Sequence, residues 1–468
     1  MSIGHTKPAP RLTILLSSCL SSMSPVRIVD ISYVAVPAKA ARPPEDVKLN
    51  AMEAQWLVLP LLQYILFFEG EQLPPFDTVV QSLRSSLKAT LANFAPLAGK
   101  LVHLADTGDV AIRCSASSSD DGVRFVVAES EADVRRLAGD EEHDVQTFER
   151  LVPELDMTEL PASLLAAQAT RLEGGGVALG VTVHHAVADG RSLWRFVEAW
   201  AAACRRDTPP PMPPPCFDRL RVRLPGGEEL ARSVLRKYAP NLPVVTTPSI
   251  LQEERLRFIR WTFTLDSNHI ERLKRRIVRL GEAQGAPSCR PPSSFVAVAA
   301  QAWTCFVRCR SVPADEDVFL FFFADVRGRL DPPAGAEYFG ACLSGCLATV
   351  PARELHGERA LAAASAAVQG AIREMTEDPA GGWEFLRIPG AVPMDRLLNV
   401  SGSSSFRAYQ AADFGWGRPR RTVPVRMNQD GQVELVRARD ADGVQVTVSM
   451  LRRVHMDAFK AQFLDLLE

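Results

Sequence analysis

The sequence lacks both a charge excess of either sign and a long apolar run. Its 468 residues carry 53 lysines and arginines against 55 aspartates and glutamates, a formal net charge of -2. A nucleic-acid-binding surface needs a clear basic excess, and a membrane-spanning helix needs about 18 consecutive apolar residues. The sequence therefore predicts neither a nucleic-acid nor a membrane partner. Its 47% apolar and 23% charged residues are typical of a globular protein.

Several common catalytic motifs are also missing. The chain has no Gly-x-Ser-x-Gly elbow, no phosphate-binding P-loop and no Cys-x-x-Cys. Its nine cysteines are odd in number and widely spaced, which does not indicate a disulfide framework. Cys305 with Cys309, and Cys342 with Cys346, have no nearby histidine, so we predict small buried residues there and no metal site. This cysteine usage favours a reducing, cytoplasmic compartment.

The N-terminal segment is short, apolar and serine-rich. Residues 11–22, RLTILLSSCLSS, loosely fit a secretory signal. The alternative that we favour is a disordered leader over residues 1–22, with Met23 as an internal start.

A proline-rich segment lies near the middle of the chain. Six of the seven residues from Pro209 to Pro215 are proline, which excludes a helix or a central strand and favours polyproline II. We predict a crossover linker at residues 206–225. It would join an N-terminal lobe, residues 23–205, to a C-terminal lobe, residues 226–468.

Hydrophobic periodicity predicts strands that alternate with helices in both halves, which favours an α/β fold with mixed β-sheets flanked by helices. The predicted helices are 77–94, with Asp77 or Thr78 as the N-cap, 191–204, 294–308, 360–375 and 456–467. The predicted strands are 176–185, the continuously apolar 318–324, and a hairpin over 433–448 that turns at Asp442-Gly443.

The strongest chemical signal is His184-His185-Ala-Val-Ala-Asp189-Gly190 at the end of the first half. His185 shares strand parity with Val177 and Val183, so it should face inward, whereas His184 should face away. A neutral imidazole in a dry cleft is a suitable general base, because its ordinary pKa is near 6.5 and burial favours the neutral form. No third ligand accompanies the two histidines at metal spacing.

Asp189 has two alternative roles. It could orient the His185 ring, as the carboxylate does in a hydrolase triad. It could instead pair with a distant arginine and fix the turn that presents His185, which is the role that we favour.

A second signal, Asp413-Phe414-Gly415-Trp416-Gly417, follows near the C-terminus. Together with His185-x-x-x-Asp189-Gly190, it resembles the BAHD family of plant acyl-CoA-dependent acyltransferases. The resemblance runs from about Val26 to the end of the chain and includes the proline-rich crossover.

The resemblance implies two lobes, each like chloramphenicol acetyltransferase, with a solvent channel between them and His185 in mid-channel. It also implies that Asp189 and Gly190 support the motif, with Arg327 as the partner of Asp189. The segment from Asp413 to Gly417 would support the CoA side of the channel. Backbone amides and the Trp416 indole are candidate oxyanion donors.

A third segment, Tyr338-Phe339-Gly340-Ala341-Cys342, is similar to the Tyr-Phe-Gly-Asn-Cys of the branch that acylates anthocyanins and other phenolic glucosides. Ala341 replaces the usual asparagine and removes a hydrogen-bonding amide.

The expected activity is O-acyl transfer from acyl-CoA, with malonyl-CoA favoured, to a hydroxyl of a phenolic or anthocyanin glucoside. Arg191 and Arg195 are candidates to bind the malonyl carboxylate. One alternative is a hydroxycinnamoyl-CoA transferase that acts on another alcohol or an amine, and a second is a non-catalytic homologue that binds small molecules. We expect a monomer with no resident cofactor or metal, whose partners are the donor and the acceptor.

Overall fold

The computed structural model describes residues 25–40, 43, 45–114, 122–208, 212–247, 255–282, 291–390, 392–427, 429–440 and 442–466. The predicted leader and the first three residues of the proline run, 209–211, lie outside these ranges.

The elements interleave along the chain as an α/β fold requires. The strands are β1 (Val26–Val34), β2 (Val47–Lys48), β3 (Leu62–Phe68), β4 (Lys100–Leu104), β5 (Asp109–Arg113), β6 (Val123–Asp133), β7 (Ala162–Ser163), β8 (Leu165–Glu173), β9 (Val177–Val183), β10 (Ile259–Leu265), β11 (Asp317–Asp325), β12 (Leu343–Pro351), β13 (Leu397–Gly402), β14 (Arg421–Pro424), β15 (Gln432–Arg437) and β16 (Val444–Met450). The helices are α1 (Ala51–Ala54), α2 (Phe76–Thr90), α3 (Val134–Leu137), α4 (Val145–Arg150), α5 (Gly190–Arg205), α6 (Gly227–Tyr238), α7 (Ser267–Glu282), α8 (Ser294–Arg310), α9 (Ala352–His356), α10 (Ala360–Glu377), α11 (Ala408–Ala411) and α12 (Arg453–Asp465).

Two six-stranded mixed sheets organise the two halves. The first has the order β1-β6-β8-β9-β3-β14, with β6 and β8 parallel. The second has the order β10-β16-β15-β13-β11-β12, with β13 parallel to both of its neighbours. A four-stranded sheet, β2-β5-β4-β7, accompanies them. The predicted mixed-sheet class is confirmed.

The first sheet is completed by a strand from the far end of the chain. Arg421 of β14 pairs antiparallel with Phe67 of β3, and Pro424 pairs with Tyr64. The edge of the first sheet therefore belongs to the second half of the sequence.

Most predicted elements appear with shifted ends. The helix predicted over 77–94 ends at Thr90, and residues Ala95–Ala98 form a separate 3-10 turn that contains Pro96. Its N-cap is Pro75 and makes no side-chain hydrogen bond, so neither Asp77 nor Thr78 caps it. The predicted hairpin forms between β15 and β16, where Leu435 of β15 pairs with Val446 of β16. The last residue of the predicted closing helix, 467, lies outside the described ranges.

The apolar strand β11 has two different faces. Val318, Leu320 and Phe322 belong to the core under the second sheet. Phe321 and Phe323 lie on the opposite face and line a cavity between the sheets. Continuous hydrophobicity here reflects a face packed in the core and an opposite face that forms an apolar wall of the cavity, which Phe322 also reaches.

Helix α6, which follows the predicted linker, packs on the first half of the chain. Its Val234 and Leu235 belong to the core of that half. Beyond it, the amide of Val245 donates to the carbonyl of Thr158 at 2.8 Å. The division at residues 206–225 stays a prediction, since the chain remains against the first lobe past that point.

None of the helices in the described part of the chain combines the length and the apolar character that crossing a membrane requires. The seven described cysteines are free thiols, and those at positions 305, 342 and 346 are buried.

Candidate active site

A cavity of about 1050 Å³ lies between the two large sheets. Trp56, Tyr64 and His185 line it from the first half, while Phe323 and Glu434 line it from the second. Residues from both sheets therefore face the same space, which matches the channel that the sequence resemblance implied.

The tandem histidines face opposite sides of their strand. His185 follows the end of β9, is partly exposed and lines the cavity. His184 is only 1% exposed, and its Nδ1 accepts a hydrogen bond from the amide of Ala186 at 3.2 Å. Burial lowers the pKa of His184 to about 3. His185 alone of the pair can meet a substrate in the cavity.

His185 has the protonation state that a general base needs. Burial lowers the pKa of His185 to about 4, and its own main-chain carbonyl offsets only part of this effect. The ring is therefore neutral at physiological pH. Its Nδ1 is buried, which leaves Nε2 as the nitrogen that can reach a substrate.

Asp189 lies at the N-cap of α5 and is fully buried. Its Oδ1 accepts from the amide of Ser192 at 2.9 Å, and its Oδ2 accepts from the amide of Cys342 at 3.3 Å. The guanidinium of Arg327 lies 2.7 Å from the same Oδ2. Within the described ranges, Asp189 forms no hydrogen bond or ion pair with His185, so the geometry favours the structural alternative for Asp189.

Arg327 ties this pair to the segment that begins at Tyr338. Its Nε donates to the carbonyl of Tyr338 at 3.1 Å, and its Nη2 donates to that of Gly340 at 2.6 Å. Ala341 is fully buried beside this network. The histidine motif and the segment from Tyr338 to Cys342, the first and third sequence signals, therefore meet at one buried ion pair that joins the two halves.

Gly190 has a steric reason for being glycine. A Cβ atom at this position would lie 2.9 Å from Cε2 of Phe406, a residue that lines the cavity from the second half. Such contacts are closer than ordinary packing allows. The start of α5 is therefore pressed against the opposite lobe.

The segment from Asp413 to Gly417 lies outside the cavity lining. The rings of Phe414 and Trp416 stack with centroids 5.6 Å apart, and Phe414 also meets Trp200 of α5 edge to face. Gly415 and Gly417 have φ angles of 101° and 91°, in the left-handed region that favours glycine. The main-chain carbonyl of Asp413 accepts from Arg205 at the end of α5.

Trp416 lies outside the cavity lining, like the rest of its segment. Its indole Nε1 is buried without a partner among the described residues, and its ring packs in an aromatic group with Phe68 and Phe414. A role for this indole as an oxyanion donor stays a prediction. A role for the segment in supporting the CoA side stays a prediction.

The two arginines considered for an acyl carboxylate are placed differently. Arg191 lines the cavity, and its Nη1 lies 2.6 Å from Asp325 Oδ2. Arg195, one helical turn later, does not line the cavity and instead donates to the carbonyls of Ala336, Pro213 and Pro214. Arg195 thus fastens the proline-rich segment to α5.

Sequence reasoning missed two features of the cavity wall. Trp56 stacks on His185 with ring centroids 3.7 Å apart and planes 11° apart. Glu434 accepts hydrogen bonds from Tyr64 and Ser401, so it connects the two sheets at the cavity. Burial raises the pKa of Glu434 despite those bonds. Neither residue lies in a motif, and no local pattern indicates its contacts.

No group of three or more metal-ligating side chains occurs among the described residues.

Two mixed sheets enclose a cavity that a neutral, accessible histidine lines, which is the arrangement that the resemblance to acyltransferases implied. The family described as "Transferase family" matches residues 30–466. The chain belongs to this family, and its resemblance to the BAHD acyltransferases is confirmed.

Relatives and solved structures agree with this placement. The chain is 31% identical over 462 residues to phenolic glucoside malonyltransferase 1 of Bemisia tabaci, with 96% of this chain and 98% of the relative covered. It is 27% identical over 454 residues to agmatine coumaroyltransferase of Arabidopsis thaliana, covering 94% and 98%. The crystal structure of vinorine synthase has the same fold, with a TM-score of 0.71, 21% identity and coverage of 94% and 98%.

The buried ion pair generates the first prediction. Arg327→Met would leave the Asp189 carboxylate buried without its charge partner, which should reduce the free energy of unfolding by about 3–5 kcal/mol. The control is Arg191→Met, which breaks the more exposed pair with Asp325 and should cost less than about 1 kcal/mol. Urea denaturation of both variants measures the difference. Equal, small losses would contradict a structural role for the Asp189–Arg327 pair.

The lowered pKa of His185 generates the second prediction. A base must be unprotonated, so activity should be lost only when the pH falls through the pKa of His185, at about 4. We expect kcat/KM for the acceptor to stay level from neutral pH down to about pH 5 and then to fall, which brief assays with a parallel circular-dichroism check of folding can measure. An acidic limb centred near the ordinary imidazole pKa would mean that the ring is fully hydrated.

Proposed function

We propose that the protein transfers the malonyl group of malonyl-CoA to a hydroxyl of a phenolic glucoside, with His185 as the general base. The observation that carries the proposal is the neutral His185 ring in a cavity that both lobes line. The malonyltransferase named above, which matches almost the whole chain, supports the donor and the acceptor class.

His185 would work through Nε2. This nitrogen accepts the proton of the acceptor hydroxyl as the oxygen attacks the thioester carbonyl. The tetrahedral intermediate then collapses, the carbon–sulfur bond breaks, and the CoA thiolate takes the proton back from the imidazolium. The base supplies roughly 10² to 10⁴-fold of the rate, and holding both substrates in one cavity supplies a further share.

The wall of the cavity suits an aromatic acceptor. Trp56, Phe323 and Phe385 form a cluster beside His185, with the Trp56 ring 5.1 Å from Phe323 and 4.6 Å from Phe385. Aromatic rings gain stabilisation from such surfaces through offset and edge-to-face contacts. A phenolic ring held here would bring its glucose hydroxyls near the imidazole.

The same cluster favours one alternative donor. A hydroxycinnamoyl group is planar and aromatic and would fit the surface formed by Trp56, Phe323 and Phe385. The coumaroyltransferase relative supports this second candidate function.

Arg191 is the candidate that we propose for the malonyl carboxylate, because Arg195 lies outside the cavity lining. A guanidinium is well suited to bind a carboxylate through two parallel hydrogen bonds. Its pairing with Asp325 holds the side chain at the cavity wall.

The cytosol and the monomeric state stay predictions. The free thiols of the described cysteines are consistent with a reducing compartment. We expect acyl-CoA and the glucoside to be the small-molecule partners.

Replacing the base is the direct test of the mechanism. His185→Ala should lower turnover by roughly 10² to 10⁴-fold, because no other group would take the proton. His103→Ala, in the small four-stranded sheet away from the cavity lining, is the matched control and should match the wild type. Thiol release from malonyl-CoA gives the rates, and circular dichroism checks folding. A folded His185→Ala variant that keeps more than about a tenth of wild-type turnover would rule out the base assignment.

Donor choice can be measured by competition. With equal malonyl-CoA and coumaroyl-CoA and a panel of phenolic glucosides, we expect the malonyl ester as the main product by mass spectrometry. Equal or faster coumaroyl transfer would favour the second candidate function instead.

Two arginine variants provide the control for that experiment. Arg191→Gln should raise KM for malonyl-CoA by about tenfold, the effect of one charged hydrogen bond, and should leave KM for acetyl-CoA unchanged. Arg195→Gln should leave the ratio of the two KM values unchanged. An Arg191 variant that alters both donors equally would reject its role in binding the carboxylate.

A further inference from the structure

The indole of Trp56 covers one face of the His185 ring. Their centroids are 3.7 Å apart and their planes 11° apart, and both rings line the cavity. A cation within about 6 Å of an indole face is stabilised by the ring quadrupole, most strongly where water is excluded. His185 is neutral at rest and becomes such a cation whenever it accepts a proton.

No carboxylate occupies the position that it takes in a hydrolase triad. The Asp189 carboxylate pairs with Arg327 and accepts hydrogen bonds from the amides of Ser192 and Cys342. Asp325, which also lines the cavity, pairs with Arg191 and Arg327. Among the described residues, no acidic side chain forms a hydrogen bond or an ion pair with His185. The main-chain carbonyl of His185 favours the imidazolium in part, and the indole face is a further group in contact with the ring.

Trp56 is held firmly in place. It lies in a short 3-10 helix, Gln55–Val58, and the Gln55 side chain donates to the carbonyl of Trp383 at 2.6 Å and accepts from the amide of Leu386 at 3.4 Å. Phe385 and Phe323 contact the indole from the second half of the chain. The ring is 6% exposed, so it keeps one orientation against His185.

We propose that Trp56 is a positioning residue of the transfer reaction, which fixes the orientation of the His185 ring and stabilises the imidazolium through its indole face. The inference rests on the proposed role of His185 as the base. Its effect is selective for the transition state, because a neutral imidazole gains less from the quadrupole than the imidazolium does.

A double-mutant cycle tests this proposal in the full-length protein. Trp56→Phe keeps an aromatic face, whereas Trp56→Leu removes it. Each is made alone and together with His185→Ala, and kcat and KM for malonyl-CoA are measured by thiol release at high enzyme concentration. We expect Leu to lower kcat by about tenfold or more, Phe to lower it by less than about threefold, and KM to change little.

The cycle separates an action through His185 from a general effect on the cavity. If Trp56 acts through the imidazole, Trp56→Leu should have no further effect in the His185→Ala background. Equal losses in the two backgrounds, or equal losses for Phe and Leu, would overturn the proposal. An active His185→Ala variant would instead overturn the base assignment itself, so the two failures are distinguishable.

Two further variants keep the test decisive. Trp56→Met fills much of the same space without an aromatic face, and it gives the same comparison if Trp56→Leu does not fold. Phe385→Leu is the matched control, because in the described part of the chain the Phe385 ring packs on the indole and not on the His185 ring. Its effect on kcat should be the same in both backgrounds. The proposal would also be overturned if the effect of Phe385→Leu on kcat disappeared in the His185→Ala background as fully as the effect of Trp56→Leu does.

Discussion

The buried ion pair between Asp189 and Arg327 is the interaction on which the geometry of the site depends. It lies at the N-terminus of α5, immediately after the turn that carries His185, and both side chains are almost fully inaccessible to water. Taking two charges out of water is costly, so such a pair persists only when further hydrogen bonds satisfy both groups. Here the amides of Ser192 and Cys342 and the carbonyls of Tyr338 and Gly340 do so. Because Arg327 belongs to the second half of the chain, the same pair fixes the catalytic turn and the position of the opposite lobe.

Helix α5 carries that constraint along the interior. Its first turn begins at the ion pair, and its last residue, Arg205, donates to the carbonyl of Asp413. Trp200 packs on Phe414 between these ends. The histidine motif and the segment from Asp413 to Gly417 are therefore joined by one rigid element. The segment is therefore connected to the histidine motif through α5, although it does not line the cavity.

The sequence predicts best what depends on local periodicity. The alternation along Val177–Val183 correctly predicts that His184 and His185 face opposite sides. The helix after them is longer than predicted by one residue at each end. Prediction from the sequence fails where a contact joins distant segments, because no local pattern indicates which surfaces meet. Trp56 reaches His185 through tertiary packing, and Trp416 joins an aromatic group instead of the cavity. In the sequence, Arg195 is as good a candidate for the acyl carboxylate as Arg191. In the structure it lies one helical turn further along α5, where it binds the proline-rich segment.

The strand order of the first sheet has a consequence for how the protein is made. The strand β3 is synthesised early, yet its outer neighbour β14 is translated only after nearly all of the remaining chain. Until then the nascent sheet presents an open edge, the kind of surface that invites pairing with another molecule. The first sheet therefore cannot be complete until β14 has been synthesised. A fragment that ends at the proline run would lack β14 and would leave that edge of the first sheet unpaired.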